Sequence, residues 1–313
     1  MNSSPRTAYI LQIHKNQDQV NKFIKQLISE EQADVFVHID KRNYQNLKEG
    51  IVKSPFVNVL QQCGICEWGD ISQVESTIRL LREVVASKNE YDFVCLRSGQ
   101  DLLVKDGFKD FLINNKGKIF MTLGNVGRFN SGLMEISWPK FMRKRYASFH
   151  PARVFRSIVL GLYRKGINIF PNRNKMPKEY SLYKGSQWFT VPYDAAKYII
   201  QFLDENEWFY NYFEHSLVPD QWFFHTLIMN SQYKTAVMDN NLLFLKWGET
   251  LSSQNSPQDL TSEDIPLIEE SNGYFARKFD ENIDDSVINY FADKVKFEST
   301  KLANKDEELY VRI

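Results

Sequence analysis

Ala8-Tyr9-Ile10-Leu11-Gln12-Ile13 is a short apolar run closed by the polar break His14-Lys15-Asn16. Beyond it, Val20, Phe23, Ile24, Leu27 and Ile28 recur at helical spacing. Ala33-Asp34-Val35-Phe36-Val37-His38-Ile39 is a second run, which stops at Asp40-Lys41-Arg42. Short β-branched and aromatic runs between polar breaks predict strands, and the spacing between them predicts a helix. Strand, helix, strand in this order seeds a parallel sheet, because parallel neighbours need a crossover and the helix supplies it. Ligands of such sheets bind outside the carboxyl ends of the strands. His14 and Asp40 occupy two of those ends. No Gly-x-Gly-x-x-Gly follows the first strand, so a dinucleotide site of that type is not expected.

Working outward, residues 57–60, 91–96, 119–122, 183–191 and 242–247 predict further strands. Residues 72–86 and 105–115 predict helices. Asp194 is expected to cap another helix, running through Leu203, and Ser262-Glu263-Asp264 to open one more. Arg97-Ser98-Gly99-Gln100-Asp101 follows a strand and places Asp101 near its carboxyl end. Residues 1–6 read as a disordered leader, 249–260 as a polar loop, and the chain beyond Asp284 as a peripheral helix and tail. No internal repeat and no clean linker interrupts 7–313. A single large α/β domain is therefore expected, with a basic insertion at about 136–180.

Val218-Pro219-Asp220-Gln221-Trp222-Phe223-Phe224-His225-Thr226 is the other informative stretch. Pro219 cannot continue a preceding helix, and Asp220 is a natural N-cap. Groups at such a corner face a cleft more often than a core. The plain alternative is a capped helix and nothing more.

The formal charge is zero, which argues against a dedicated nucleic-acid binder. That zero conceals an asymmetry. Between Glu135 and Glu179 there is no acidic residue, while Lys140, Arg143, Lys144, Arg145, Arg153 and Arg156 are followed by five more cations up to Lys178. The segment suits a solvated helix face, an anionic membrane surface or a groove for a phosphorylated ligand. Aromatics make up 14% of the chain, enough to line a sugar cleft or simply to fill cores.

Cys63 and Cys66 form a Cys-x-x-Cys, but they precede Trp68-Gly69 and the helix begins later, so the helix terminus that stabilises a thiolate is missing. A structural zinc site wants four ligands, and only Cys95 remains. Three cysteines make no disulfide framework, no signal peptide leads the chain, and no apolar run is long enough to span a bilayer. A reducing cytoplasm is the expected compartment, with the basic segment suited to peripheral contact at the inner face of the membrane.

Seven segments run in one order from residue 8 to 280: Ala8-Tyr9 with His14-Lys15; Val37-His38-Ile39-Asp40; Trp68-Gly69 with Ser72 and Val74; Ser98-Gly99-Gln100-Asp101; Lys184-Gly185-Ser186-Gln187-Trp188; Pro219-Asp220 with Phe223-Phe224-His225-Thr226; and Phe275-Ala276-Arg277-Lys278-Phe279. In this the chain resembles glycosyltransferase family 14, the core-2/I-branching β-1,6-N-acetylglucosaminyltransferases and peptide O-xylosyltransferases, with their bacterial relatives. The resemblance implies a GT-A-like, Rossmann-type mixed sheet flanked by helices. It also implies an inverting transfer from a UDP-sugar without a divalent metal or other cofactor, and the chain has no Asp-x-Asp. By the same resemblance Asp40 reads uracil, Leu11 and Trp68 pack near the base, and Lys278 holds the diphosphate with help from Arg277. His14, Ser98 and Asp101 complete the expected donor side, and Glu135, Trp188 and Trp247 are assigned to the acceptor.

One departure matters. The residue after Pro-Asp in this family is usually a glutamate acting as general base, and here it is Gln221. An amide cannot accept the proton at neutral pH, and general-base help is worth roughly 10²–10⁴-fold. Three explanations stand. Asp220, Glu135 or Asp101 serves instead; or Gln221 is an introduced, inactivating change; or the protein binds nucleotide-sugar without turning it over. A second departure is Pro257-Gln258, where relatives often carry an arginine, which leaves the diphosphate more dependent on Lys278. The expected function is transfer of a sugar, N-acetylglucosamine first among candidates, to a saccharide or lipid-linked saccharide in bacterial surface polysaccharide synthesis. The alternative is a catalytically silent nucleotide-sugar-binding protein.

Overall fold

The structure is a computed structural model that describes residues 6–29, 33–87, 89–126, 131–147, 149–248 and 256–295. The leader over 1–5, most of the polar loop and the tail after 295 lie outside the described residues. Arg6 is firmly held: its guanidinium donates to both carboxylate oxygens of Asp34 at 3.1 and 2.6 Å, and its backbone N–H donates to Asp92.

In chain order the elements are β1 (Thr7–Ile13), α1 (Gln17–Ile28), β2 (Ala33–Ile39), α2 (Tyr44–Lys48), β3 (Val57–Val59), α3 (Ser72–Ala86), β4 (Phe93–Ser98), β5 (Asp101–Leu103), α4 (Phe108–Asn114), β6 (Ile119–Gly124), α5 (Gly132–Glu135) and α6 (Pro151–Arg164). There follow β7 (Lys184–Pro192), α7 (Tyr193–Glu205), α8 (Glu207–Phe213), α9 (Phe223–Met229), β8 (Val237–Asp239), β9 (Leu243–Leu245), α10 (Ile265–Glu270), β10 (Phe275–Arg277) and α11 (Asp285–Lys294). The α/β class read from the sequence is what is found. The chain divides into two compact units. One comprises Met1–Gln61, Lys88–Lys116 and Leu242–Ile313, the other Gln62–Ser87 and Gly117–Asn241. Neither unit is a consecutive stretch, which is why no linker is legible in the sequence.

In the first unit β3, β2, β1 and β4 run parallel in that spatial order. β1 and β2 read as near-continuous apolar runs because both faces of these strands are buried. The register sets Ile13 level with Ile39 and Gln12 level with Ser98. Hence His14, Asp40 and the turn after Ser98 leave the sheet along one edge. That edge is zipped by the Asp40 N–H to the Ile13 carbonyl at 2.9 Å and the Gly99 N–H to the Gln12 carbonyl at 3.0 Å. A smaller sheet places β10 antiparallel to β5 and parallel to β9. Phe108, Tyr274 and Phe275 pack ring on ring beside it.

In the second unit β6 pairs antiparallel with β7 and parallel with β8. Its core is largely aromatic. Phe223 meets Phe209 and Phe213 with ring centroids 5.0 and 5.3 Å apart, and Phe224 meets Phe189 at 5.4 Å. Many of the aromatics counted in the sequence therefore fill core rather than line a cleft. The β6–β7 ladder breaks between Met121 and Leu123, where the partner jumps from Phe189 to Gly185, so residues 186–188 bulge out of register.

Several local expectations are corrected. Asp194 does not cap α7: the N-cap is Pro192, and Asp194 sits in the first turn paired with Lys197 at 2.7 Å. The helix expected over 105–115 begins at Phe108, after Gly107 in the left-handed region. Asp101 lies just past the carboxyl end of β4 and also starts β5, a short strand not expected from the sequence; its carboxylate accepts the Ser98 backbone N–H at 3.0 Å and turns the chain between the two strands. Among the described residues no helix is long and apolar enough to cross a membrane.

Candidate functional site

The donor-side candidates of the first unit lie along the zipped edge. Asp40 is 2% exposed and accepts from Arg42 three times, at the backbone N–H, at Nε and at Nη2. His14 is pushed below the usual imidazole range, first by burial, then by the charges of Lys15 and Arg277. The loop carrying His14 is fastened by Asn43, whose side chain donates to the His14 carbonyl at 2.7 Å, and by Lys15 and Asn16, which both donate to Asp280. Burial alone would raise Asp280. The hydrogen bonds from Lys15, Asn16 and Asn282 instead hold it well below the carboxylate range.

Asp101 is fully buried. Arg277 lies opposite it in the β5–β10 register and donates to it at 2.8 Å. Burial raises the Asp101 pKa while Arg277 opposes that rise. A carboxylate engaged in this way holds the Ser98 turn and is poorly placed to take a proton from an acceptor. Lys278, the next residue, ends the segment with its ammonium 2.8 Å from Asp259, both side chains about one-quarter exposed. Leu11 is wholly enclosed within β1, and Trp247 is 51% exposed.

The second unit holds the Pro-Asp corner. Asp220 does not cap α9, as its sequence position suggests. It lies inside a 3-10 turn over Pro219–Gln221, and Trp222 stands at the N-cap with no side-chain bond. The corner is entered through Val218 at φ 60°, a left-handed conformation that a β-branched residue takes only under strain, held by its N–H to the Gly69 carbonyl at 2.9 Å. Gly69, at φ 80°, supplies the matching turn, with Leu217 and the Arg143 carbonyl packed over it. So the Trp68-Gly69 motif and the Pro-Asp motif are two sides of one local structure. Trp68 is 36% exposed.

Asp220 is 8% exposed, and its Oδ1 has no hydrogen-bond partner among the described residues. Burial pushes its pKa up to about 6, against smaller opposing pulls from its own backbone N–H and then from Lys184. Lys184 is lowered by its own burial, with Asp220 opposing, and lies 5.9 Å from the Trp222 ring. The Trp222 Nε1 and both His225 ring nitrogens are likewise buried without a well-formed hydrogen bond among the described residues, and burial lowers the His225 pKa to about 4, against a smaller opposing pull from the Thr122 backbone. Such groups are costly to leave unmet, and their clustering marks a place kept for something other than stability.

His225 faces the β7 bulge. Thr226 ties α9 to the same place by exchanging hydrogen bonds with the Tyr183 backbone at 3.1 and 3.2 Å. The Lys184-Gly185-Ser186-Gln187-Trp188 motif and the Pro-Asp motif therefore meet. Gln221 is half-buried at the corner. Of the acceptor candidates, Trp188 is buried in β7, and Glu135 accepts from the Tyr163 hydroxyl at 2.5 Å at the end of α5.

Sequence reasoning quoted Lys184 and His225 inside motifs but gave them no role. It missed Arg42 beside Asp40 and Asp259 beside Lys278. The first was legible as the cation two residues after a strand-ending aspartate; Asp259, remote in sequence, carried no signal. Among the described residues no group of three or more His, Cys, Asp and Glu gathers as a metal site would.

The Core-2/I-Branching enzyme family matches residues 7–269. Xylosyltransferase oxt of Drosophila melanogaster is 26% identical over 306 residues, covering 90% of this chain and 32% of that protein. Xylosyltransferase 2 of Rattus norvegicus is 24% identical over 306 residues, covering 90% and 33%. The chain spans about a third of the length of the curated relatives it matches. Mouse Xyloside xylosyltransferase 1 in its apo form aligns over 86% of this chain and 97% of that one, at 10% identity and a TM-score of 0.36, a likeness too low to decide anything.

Proposed function

We infer the reaction from one premise: this chain belongs to the Core-2/I-branching enzyme family. It is a glycosyltransferase that takes a sugar from a UDP-sugar and places it on a saccharide hydroxyl, with inversion and without a divalent metal. What carries this reading is the first unit's edge. Asp40, His14 and the Asp101–Arg277 pair lie at or beside the carboxyl ends of parallel strands, where α/β sheets bind ligands, and Lys278 follows directly. Asp40 is the uracil contact, held in place by Arg42. Lys278 offsets the charge that develops on UDP as the bond from the anomeric carbon to the phosphate oxygen breaks. Arg277, engaged with Asp101, positions this segment.

In the second unit Asp220 is the general base. The acceptor oxygen attacks the anomeric carbon, and its proton passes to the Asp220 carboxylate. A pKa near 6 suits a base working at neutral pH, and no other carboxylate of the corner segment is available. N-acetylglucosamine is the proposed donor sugar; the names of the relatives favour xylose as the second reading. The proposed acceptor is a lipid-linked saccharide of bacterial surface polysaccharide synthesis, handled at the cytoplasmic face.

The test is UDP release from UDP-N-acetylglucosamine, UDP-xylose and UDP-glucuronate over a panel of saccharide acceptors, with and without chelator. One donor should turn over equally in both conditions. A strict manganese requirement, or no binding of any UDP-sugar, sinks the reading. Lys278→Met should lower the rate roughly 10²–10³-fold. Asp259→Asn, which releases the Lys278 ammonium, should instead tighten UDP binding in calorimetry; weaker binding would contradict the assignment. Gln221→Glu should stay within about tenfold of the parent, because the base is its neighbour. Activity confined to Gln221→Glu would move the base to position 221 and leave the present chain a silent binder.

A further inference from the structure

The segment from Lys140 to Lys178 carries eleven basic side chains and no acidic one, and the fold sorts them. Arg143 is spent internally on Asp70 at 3.0 Å and the Glu214 carbonyl at 2.5 Å, and Arg156 is buried beside the Tyr146 ring. Lys140, Arg145, Arg164, Lys165, Arg173 and Lys175 remain exposed.

α6 runs through the middle of this segment for 14 residues, about 21 Å of helix. Its buried stripe is Ala152, Arg156 and Val159, the last packed with Ile136, Trp138 and Leu217. A surface helix normally turns polar residues outward from such a stripe. Here the outward positions Val154, Phe155 and Ile158, adjacent by helical spacing, are 47%, 40% and 53% exposed. Phe149, just before the helix, is 93% exposed, and Ile167, just after it, 51%. An apolar outward face within a purely cationic segment is the pattern of a helix that lies in a membrane interface.

We propose that α6 and its flanks dock on an anionic lipid bilayer, with Val154, Phe155 and Ile158 entering the interface and the exposed cations meeting the head groups. The charge pattern chooses this occupant, since long cationic side chains bounding an apolar stripe complement an anionic surface. The proposal deepens the reading in which the acceptor is lipid-linked, yet it is measured without any reaction.

The full chain is floated with vesicles of phosphatidylcholine alone and of phosphatidylcholine with about one-third phosphatidylglycerol. It should rise with the anionic vesicles only, and less so in high salt. Phe155→Glu and Ile158→Glu should each cut binding roughly tenfold. Arg164→Glu with Lys165→Glu should cut it by about fivefold or more per position. The thermal melts of these variants, and their UDP release on a soluble acceptor, should match the parent, so failure of the lipid proposal is read apart from failure of the reaction. No flotation, equal flotation on neutral vesicles, or flotation indifferent to the glutamates overturns the proposal. So does a dimer in sedimentation that Ile158→Glu splits, which would assign the face to a second copy.

Discussion

Asp220→Asn is expected to yield a protein that is more stable at neutral pH and nearly inactive. The Asp220 carboxylate is buried, its Oδ1 is unmet, and its pKa is raised from 3.8 to about 6. A raised carboxylate binds its proton in the folded state before the unfolded state does. Its effect is therefore a loss of stability as pH climbs from about 4 to 6, complete at pH 7. At roughly 1.4 kcal/mol per pKa unit, the folded protein forgoes on the order of 2–3 kcal/mol to keep this group charged. The isosteric amide removes that cost and, with it, the proton acceptor, so turnover should fall roughly 10²–10⁴-fold.

His225 makes the prediction sharper, because its sign is opposite. Its pKa is lowered from 6.5 to about 4, so the unfolded state takes up the proton first and stability rises with pH across that window. In the parent the two groups oppose one another between about pH 4 and 6. In Asp220→Asn only the His225 contribution remains, and stability should climb with pH there. Urea unfolding at pH 4, 5, 6 and 7 reads both effects. A variant that is less stable at pH 7, or one that keeps its turnover, would show that Asp220 is an ordinary buried acid.

Gly185→Ala should be among the most destabilising single changes in the second unit. A Cβ at this position would stand 1.8 Å from the Thr122 carbonyl oxygen and 2.3 Å from the His225 Nε2. The first of these is backbone, fixed by the β6–β7 ladder on both sides of the bulge. Neither neighbour can yield by a rotamer change, so the ladder must part or α9 must move. A loss of at least about 3 kcal/mol is expected, at the upper end for overpacking. Gly161→Ala is the control, since no described residue lies within 4 Å of its Cβ and it sits inside α6. It should be neutral or stabilise by up to about 1 kcal/mol. Thermal melts of the two side by side check this, and a Gly185→Ala melt that overlays the parent would show the bulge to be pliable. The same crowding explains why Lys184-Gly185-Ser186-Gln187-Trp188 is legible as a motif: the glycine is demanded by a carbonyl 63 residues earlier in the chain.

Capping was the least legible feature. Asp194 and Asp220 both carry the residue type and the spacing of an N-cap, and neither caps. Pro219 starts the turn directly before Asp220, and Pro192 stands at the N-cap two residues before Asp194, so each aspartate lies inside its turn. Where the side chain reaches back, as in the Thr261–Asp264 capping box, the sequence does mark the start: Ser262 opens the 3-10 turn Ser262–Asp264 that leads into α10. The helix over 72–86 was legible at both ends because its apolar spacing is uninterrupted. The basic segment was legible as charge but not as partition, since nothing local marks Arg143 and Arg156 as internal.

By itself the sequence determined the strand–helix–strand start, the parallel sheet that follows from it, and the residues at its carboxyl edge. These are properties of apolar period and chain connectivity, both local. Only the tertiary structure decided that Asp220 is buried with an unmet oxygen, that Lys278 is held by Asp259, that Asp101 is spent on Arg277, and that α6 turns an apolar face outward. Each of these is a question of which distant group arrives beside a side chain. The charge of a carboxylate, the reach of an ammonium and the exposure of an isoleucine are set by those neighbours, whereas a residue's own letter fixes only what it is able to do.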